Sequence, residues 1–157
     1  MRKSIIPHAA PSPDRPTADW LDLGRIARAE VTSEDEGHPV EAALTPDGRS
    51  DGWRASGPGE QVVRVVFDAP TTLRRLRLVF RESHTARTQE FVLRWSGDGG
   101  SYRDVVRQQF NFSPPATVEE VEEYAVELEG VTALELWIVP DVSGGTARVS
   151  LSELRLG

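Results

Sequence analysis

The chain has 157 residues, 18 Lys and Arg against 25 Asp and Glu for a formal net charge of −7, no Cys and 38% hydrophobic residues. A chain of this length is expected to fold as one domain and to bury roughly two thirds of its unfolded surface; without Cys it has no disulfide scaffold, thiolate zinc site or thiol nucleophile. The acidic balance argues against nucleic acid as a partner, because such affinity rests on many Lys and Arg contacts to phosphate, although residues 61–113 are net positive while 29–60 and 114–157 are net acidic.

Pro7, Pro11, Pro13 and Pro16 crowd the start of the chain. Proline blocks helix interiors and removes ladder donors, so residues 1–18 are read as a flexible arm and 19–157 as the domain. The basic opening is followed by only Ile5 and Ile6, short of the ~7–15 apolar residues of an export signal. No stretch approaches the ~18–20 apolar residues needed to span a bilayer, so the expectation is a soluble, cytoplasmic protein with no membrane insertion. Trp20-Leu21-Asp22-Leu23 is the first apolar cluster and is expected to dock on the outside of the domain.

From Arg25 onward the apolar residues recur with period two, the signature of strands with one buried face. Val63, Val65 and Phe67 alternate with Val62, Arg64 and Val66; Leu76, Leu78 and Phe80 with Arg75, Arg77 and Val79; Phe91, Leu93 and Trp95 with Val92 and Arg94. Further strands are expected over 27–32, 102–108, 124–128 (Tyr124, Val126 and Leu128 inward), 133–139 (Leu134, Leu136 and Ile138 inward) and 147–156. Asp68-Ala69-Pro70, Gly97-Asp98-Gly99-Gly100, Glu129-Gly130 and Ser143-Gly144-Gly145 each carry the residues of a chain reversal. Thr117-Val118-Glu119-Glu120 has the form of a capping box, which suggests a short helix before Tyr124. About eight short strands separated by turns indicate an all-β antiparallel sandwich or barrel.

The order of features then resembles a known family. A strand ending in Val31-Thr32-Ser33 is followed by Glu41-Ala42-Ala43-Leu44, the loop Asp47-Gly48-Arg49-Ser50-Asp51-Gly52-Trp53 and a strand. Later come Phe91-Val92-Leu93-Arg94-Trp95-Ser96-Gly97-Asp98-Gly99-Gly100-Ser101-Tyr102 and the closing Ser150-Leu151-Ser152-Glu153-Leu154-Arg155-Leu156. Over residues 26–157 this ordered set is similar to the coagulation factor 5/8 type C, or discoidin, family, which implies a galactose-binding domain-like jelly-roll β-sandwich. Many extracellular members join their termini with a disulfide, which this chain lacks. Sugar-binding members commonly hold a structural calcium between the loop after the first strand and a Glu near the chain end. The matching residues are Asp47, Asp51 and Glu153, with a carbonyl from Leu44, and hard oxygen donors of this kind suit Ca²⁺. Against this stands an ordinary Asp-Gly turn, with Arg49 neutralising the acids. No other cofactor is expected.

Catalysis is not expected. His8, His38 and His84 are widely spaced, and no His-Glu-x-x-His, Gly-x-Ser-x-Gly or phosphate-cradling Gly-Lys motif occurs. Ligand recognition on such a scaffold belongs to loops at one end, and a sugar site needs an apolar platform with polar forks beside it. Two segments qualify. One holds Arg81, Glu82, His84 and Arg87; the other holds Gln109, Asn111 and Phe112 next to Phe110. The bland alternatives are an ion-pair network in the first, and Phe110 and Phe112 turned into the core in the second. Trp95 is expected in the core, Trp53 to close its loop against the sandwich, and Trp137 on the outer sheet face.

The expected function is therefore non-catalytic binding of a carbohydrate or similar small polar ligand. The alternative is a protein-interaction or homodimer module, whose sign would be an apolar patch at Trp20 or Trp137. Arg75 and Arg77 on an outer sheet face are read as solubilising rather than nucleic-acid-binding.

Overall fold

The computed structural model describes residues 20–45 and 51–157, so the proline-rich segment expected as an arm lies outside the described residues. In chain order the elements are α1 (Leu23–Ile26), β1 (Ala27–Val31), α2 (Glu41–Leu44), β2 (Trp53–Pro58), β3 (Gln61–Arg81), β4 (Arg87–Ser96), β5 (Arg103–Phe112), β6 (Glu119–Val139), β7 (Arg148–Leu151) and β8 (Glu153–Leu156). The fold is an all-β antiparallel sandwich.

β3 and β6 are each 21 residues long. Straight, each would reach about 70 Å at ~3.3 Å per residue, whereas a domain of this length is only about 40 Å across. Both must bend. In β3 the bend falls at the exposed Asp68, Ala69 and Pro70, where the pairing with β6 slips register. In β6 it falls near Gly130, whose φ of 69° suits a residue without a Cβ. The expected reversals at these two places are thus corrected to bends within single strands, because the residues that make a turn also make a bulge.

The halves on either side of the bends belong to different layers. One layer joins β1, the first part of β3, the last part of β6, β4 and β5, in that hydrogen-bonded order. The other joins β8, residues 71–81 of β3 and residues 119–131 of β6. The β2–β7 ribbon is tied to it by the Ser152 N–H, which donates to the Val79 carbonyl at 2.8 Å. Val63, Val65, Leu134, Leu136 and Ile138 from one layer and Leu76, Leu78, Phe80, Leu154 and Leu156 from the other share one buried core. Phe80 meets Phe91 across it with ring centroids 5.4 Å apart, the tilted arrangement aromatic pairs favour.

Several expectations change. The helix expected at Thr117 is absent: β6 begins at Glu119 and pairs with the end of β3, from Arg81↔Glu119 onward. The Thr117 hydroxyl instead accepts the Ser113 N–H at 2.8 Å, closing a loop. The expected strands at 124–128 and 133–139 are parts of one strand, the strand at 147–156 is divided at Ser152, and β5 runs on to Phe112. Trp95 is half-buried rather than core, with the Arg103 guanidinium 5.7 Å from its ring. Trp53 is fully buried and its indole N–H donates to the Ser33 carbonyl at 2.9 Å.

The other two tryptophans are each covered. Trp137 faces outward, half-buried, bonded to Glu135 and flanked by Arg94. Trp20 lies under Arg75, 4.2 Å from guanidinium to ring, beside Leu21, whose N–H donates to the Leu156 carbonyl at 2.7 Å.

Candidate functional site

β4 begins where β5 and β6 end: Arg87 pairs with Phe112 and Glu90 with Val139. The segments 82–86, 113–118 and 140–147 therefore leave the sandwich side by side. They are stitched together by the Glu82 N–H donating to the Val118 carbonyl at 2.8 Å and the Val142 N–H donating to the Thr88 carbonyl at 2.9 Å. Between them opens a cleft of about 320 Å³, with Arg87 and Thr88 on one wall, Asn111 and Ser113 on the second, and Asp141 and Ser143 on the third. A larger hollow of about 360 Å³ beside α1 and α2 is walled by Leu23, Gly24, Ala27, Ala29, Leu44 and Val65, with Arg28, Glu41 and Thr45 beside them.

Of the residues expected to bind ligand, Arg87, Asn111 and Phe112 line this cleft, whereas Arg81, Glu82, His84 and Gln109 do not. Arg87 forms its base. Its side chain is 1% exposed; Nε donates to Glu82 at 2.8 Å, and Nη1 donates to Gln89 at 2.7 Å and to the Pro140 carbonyl at 2.6 Å. The guanidinium also covers the Phe112 ring, 4.9 Å from its centroid. Phe112 is 2% exposed and packs edge-on against Phe110, centroids 5.1 Å apart. It is core rather than an open platform, because period two carries both phenylalanines inward from β5.

Burial alone would raise the Glu82 carboxyl. The Arg87 guanidinium and the backbone N–H groups of His84 and Thr85 outweigh that and hold it below the usual carboxylate range. Glu82 is thus the clamp of its own loop. Arg81 pairs instead with Glu119 across the strands at 2.7 Å, both exposed, and Gln109 donates to Glu90 at 3.5 Å on the outer face. Asn111 is exposed; its side-chain oxygen accepts the Thr88 hydroxyl, which leaves its amide hydrogens for the cleft.

Thr88 and Ser113 lie within the two candidate segments, 81–89 and 108–115, without a role expected of them; Asp141 and Ser143 escaped the sequence reading. Asp141 Oδ1 accepts the Ser143 hydroxyl at 2.7 Å and the Ser143 N–H at 3.0 Å; these two bonds, the hydroxyl first, with smaller help from the Thr88 backbone and the Arg87 charge, hold the carboxyl below its ordinary value. The only signal in the sequence was Ser143-Gly144-Gly145, which announces a turn and says nothing of what the turn faces.

Of the calcium candidates, Asp47 lies outside the described residues. Leu44 is buried at the end of α2, Asp51 is exposed, and Glu153 accepts Arg155 Nε at 2.8 Å. Among the described residues no group of three or more acidic or histidine side chains converges on one point. The loop and the chain end do meet: a Cβ on Gly52 would lie 2.2 Å from the Leu151 carbonyl oxygen and 2.7 Å from Ser152 Cα.

No family model matches the chain, and no curated protein sequence does. Solved structures do match. The family 32 carbohydrate-binding module of AlyQ in complex with 4,5-unsaturated mannuronic acid is similar with a TM-score of 0.63 and 16% identity, over 88% of this chain and 97% of that one. The family 32 module from Clostridium perfringens NanJ in complex with galactose gives 0.63 and 15%, over 87% and 96%. A pectin-binding carbohydrate-binding module gives 0.60 and 17%, over 85% and 91%. Likeness at this identity establishes the fold, an antiparallel β-sandwich shared with these modules.

Proposed function

We propose that this chain is a non-catalytic carbohydrate-binding module whose ligand enters the cleft between segments 82–86, 113–118 and 140–147. The observation that carries the proposal is the convergence of the Thr88, Ser113 and Ser143 hydroxyls, the Asn111 amide and the Asp141 carboxylate on one open space, a set of short donors and acceptors suited to sugar hydroxyls. The sugar complexes of similarly folded modules support it. Arg87 and Glu82 serve as the frame that positions these groups, and with Phe112 buried, hydrogen bonds rather than ring stacking supply most of the recognition. Ser143 is a poor nucleophile here. Its hydroxyl is bonded to a carboxylate held well ionised, which is too weak a base to take its proton.

The test is a glycan array followed by calorimetric titration of the hits. Asn111→Ala should weaken binding about tenfold, the loss of one or two ligand hydrogen bonds. No binding to any sugar would overturn the proposal.

A calcium ion held by Leu44, Asp47, Asp51 and Glu153 is part of the same reading, supported by the packing of Gly52 onto the Leu151–Ser152 turn. Calcium should raise the melting temperature and Glu153→Gln should abolish that rise; an unchanged melting temperature removes the ion from the proposal.

A further inference from the structure

We infer that the cleft selects neutral sugars over their uronic-acid counterparts, and that Asp141 is the residue setting this preference. The inference rests on the carbohydrate reading and narrows its ligand class.

Two charged side chains line the cleft, Arg87 and Asp141, and they are not equivalent. Arg87 is a cation already answered. It is ion-paired with Glu82 at 2.8 Å, almost wholly buried, and its Nε and Nη1 are committed to Glu82, Gln89 and Pro140. Asp141 is an anion without a salt bridge, favoured in its charged form by Ser143, by the Thr88 backbone and by the nearby Arg87 charge. Among the described residues no Lys, Arg or His forms a salt bridge with it, and its hydrogen bonds from Ser143 both end on Oδ1. With the Arg87 charge offset by Glu82, the carboxylate of Asp141 is the uncompensated charge on the cleft wall.

An ionised carboxylate takes hydroxyl donors in short, charge-assisted bonds. A sugar hydroxyl supplies such a donor, while a uronate carboxylate is an acceptor only and brings a second negative charge. Like charges facing each other across an interface are a strong device for excluding a ligand, and the effect weakens with salt. The Ser143 bonds keep Asp141 ionised throughout the neutral range, so the exclusion does not depend on pH there.

The test is titration of the full chain, followed by backbone NMR shifts, with matched methyl glycosides: galactoside against galacturonoside, glucoside against glucuronoside, mannoside against mannuronoside. The neutral member of any pair that binds should bind about tenfold more tightly at low salt, and the gap should narrow to about threefold or less at high salt. Asp141→Asn should narrow it in the same way. Should that variant lose all binding, the salt dependence of the unaltered chain decides. Uronates binding as well as or better than their partners, or a ratio insensitive to salt, would overturn the inference and leave the carbohydrate reading standing. If neither member of any pair binds, and the glycan array is also blank, both fall together.

Discussion

The guanidinium of Arg87 lies 4.9 Å from the centroid of the Phe112 ring, directly across the β4–β5 pair from it. Two residues with the composition of a sugar site thus recognise each other, and their contact forms the floor of the cleft. Removing Arg87 leaves Glu82 charged and half-buried, with Gln89 and the Pro140 carbonyl unsatisfied. Arg87→Ala is expected to cost about 3 kcal/mol of stability, and Arg87→Lys to recover less than half of it, since an ammonium cannot reproduce the fork. Urea unfolding measures both; a loss below about 0.5 kcal/mol would mean the network is not structural.

The cleft separates residues that the sequence groups together. Asn111→Ala should reduce sugar affinity about tenfold and leave stability within about 0.5 kcal/mol, as for an exposed position. His84→Ala and Gln109→Ala, whose side chains lie outside the cleft, should leave affinity unchanged. Calorimetric titration of the three variants against one bound sugar checks this; equal losses in all three would place the ligand elsewhere.

How much of this was legible follows from what period two encodes. It marks which side chains face inward, and Val63, Val65, Phe67, Leu76, Leu78, Phe80, Leu134, Leu136 and Ile138 are all buried as the alternation requires. It does not encode whether a strand reverses or bends, so Asp68-Ala69-Pro70 and Gly130 read as turns. It also fails where few residues face inward. β2 presents only Trp53 and Ala55 to the core before Gly57 and Pro58, too short a run to register. Arg87 was legible as a functional residue type but not as a buried one, because a local pattern cannot tell an arginine aimed at solvent from one whose partners, Glu82 and Pro140, arrive from different segments. Asp141 was invisible for the same reason: its role depends on β4 beginning and β5 ending beside it.

Gly52 has a φ of 89° and sits against the Leu151–Ser152 turn. A methyl group there would collide with backbone that cannot move aside as a side chain would, and the φ itself disfavours any L residue. Gly52→Ala is expected to cost at least about 2 kcal/mol, read as a fall in melting temperature. A neutral effect would show that the loop re-forms without this contact.

Glu120, Glu122 and Tyr124 occupy the half-buried face of β6, where the Tyr124 hydroxyl donates to Glu122 at 3.0 Å. Burial, reinforced by Glu122, pushes the Glu120 carboxyl up to about 7. In the unfolded chain it titrates at the ordinary value of 4.5, so between these two values the folded state binds more protons and stability falls as pH rises. Glu120→Gln should therefore stabilise the protein by about 1 kcal/mol at pH near 8 and have no such effect near pH 4. Urea midpoints at the two pH values test the sign; a benefit confined to the acidic side would contradict it. Charged groups turned inward along a strand with a free edge also discourage pairing with another chain.

The bends in β3 and β6 carry a consequence for how the protein comes apart. In a sandwich whose layers share no strand, one sheet can peel from the other while keeping its own ladder. Here the same two backbones run through both layers, and their mutual pairing extends from Gln61↔Ile138 at one end to Arg81↔Glu119 at the other. Opening either layer drags on the ladder of its neighbour, so the two melt together as a single cooperative unit. The loops around the cleft are then the parts free to move while the frame beneath them stays closed.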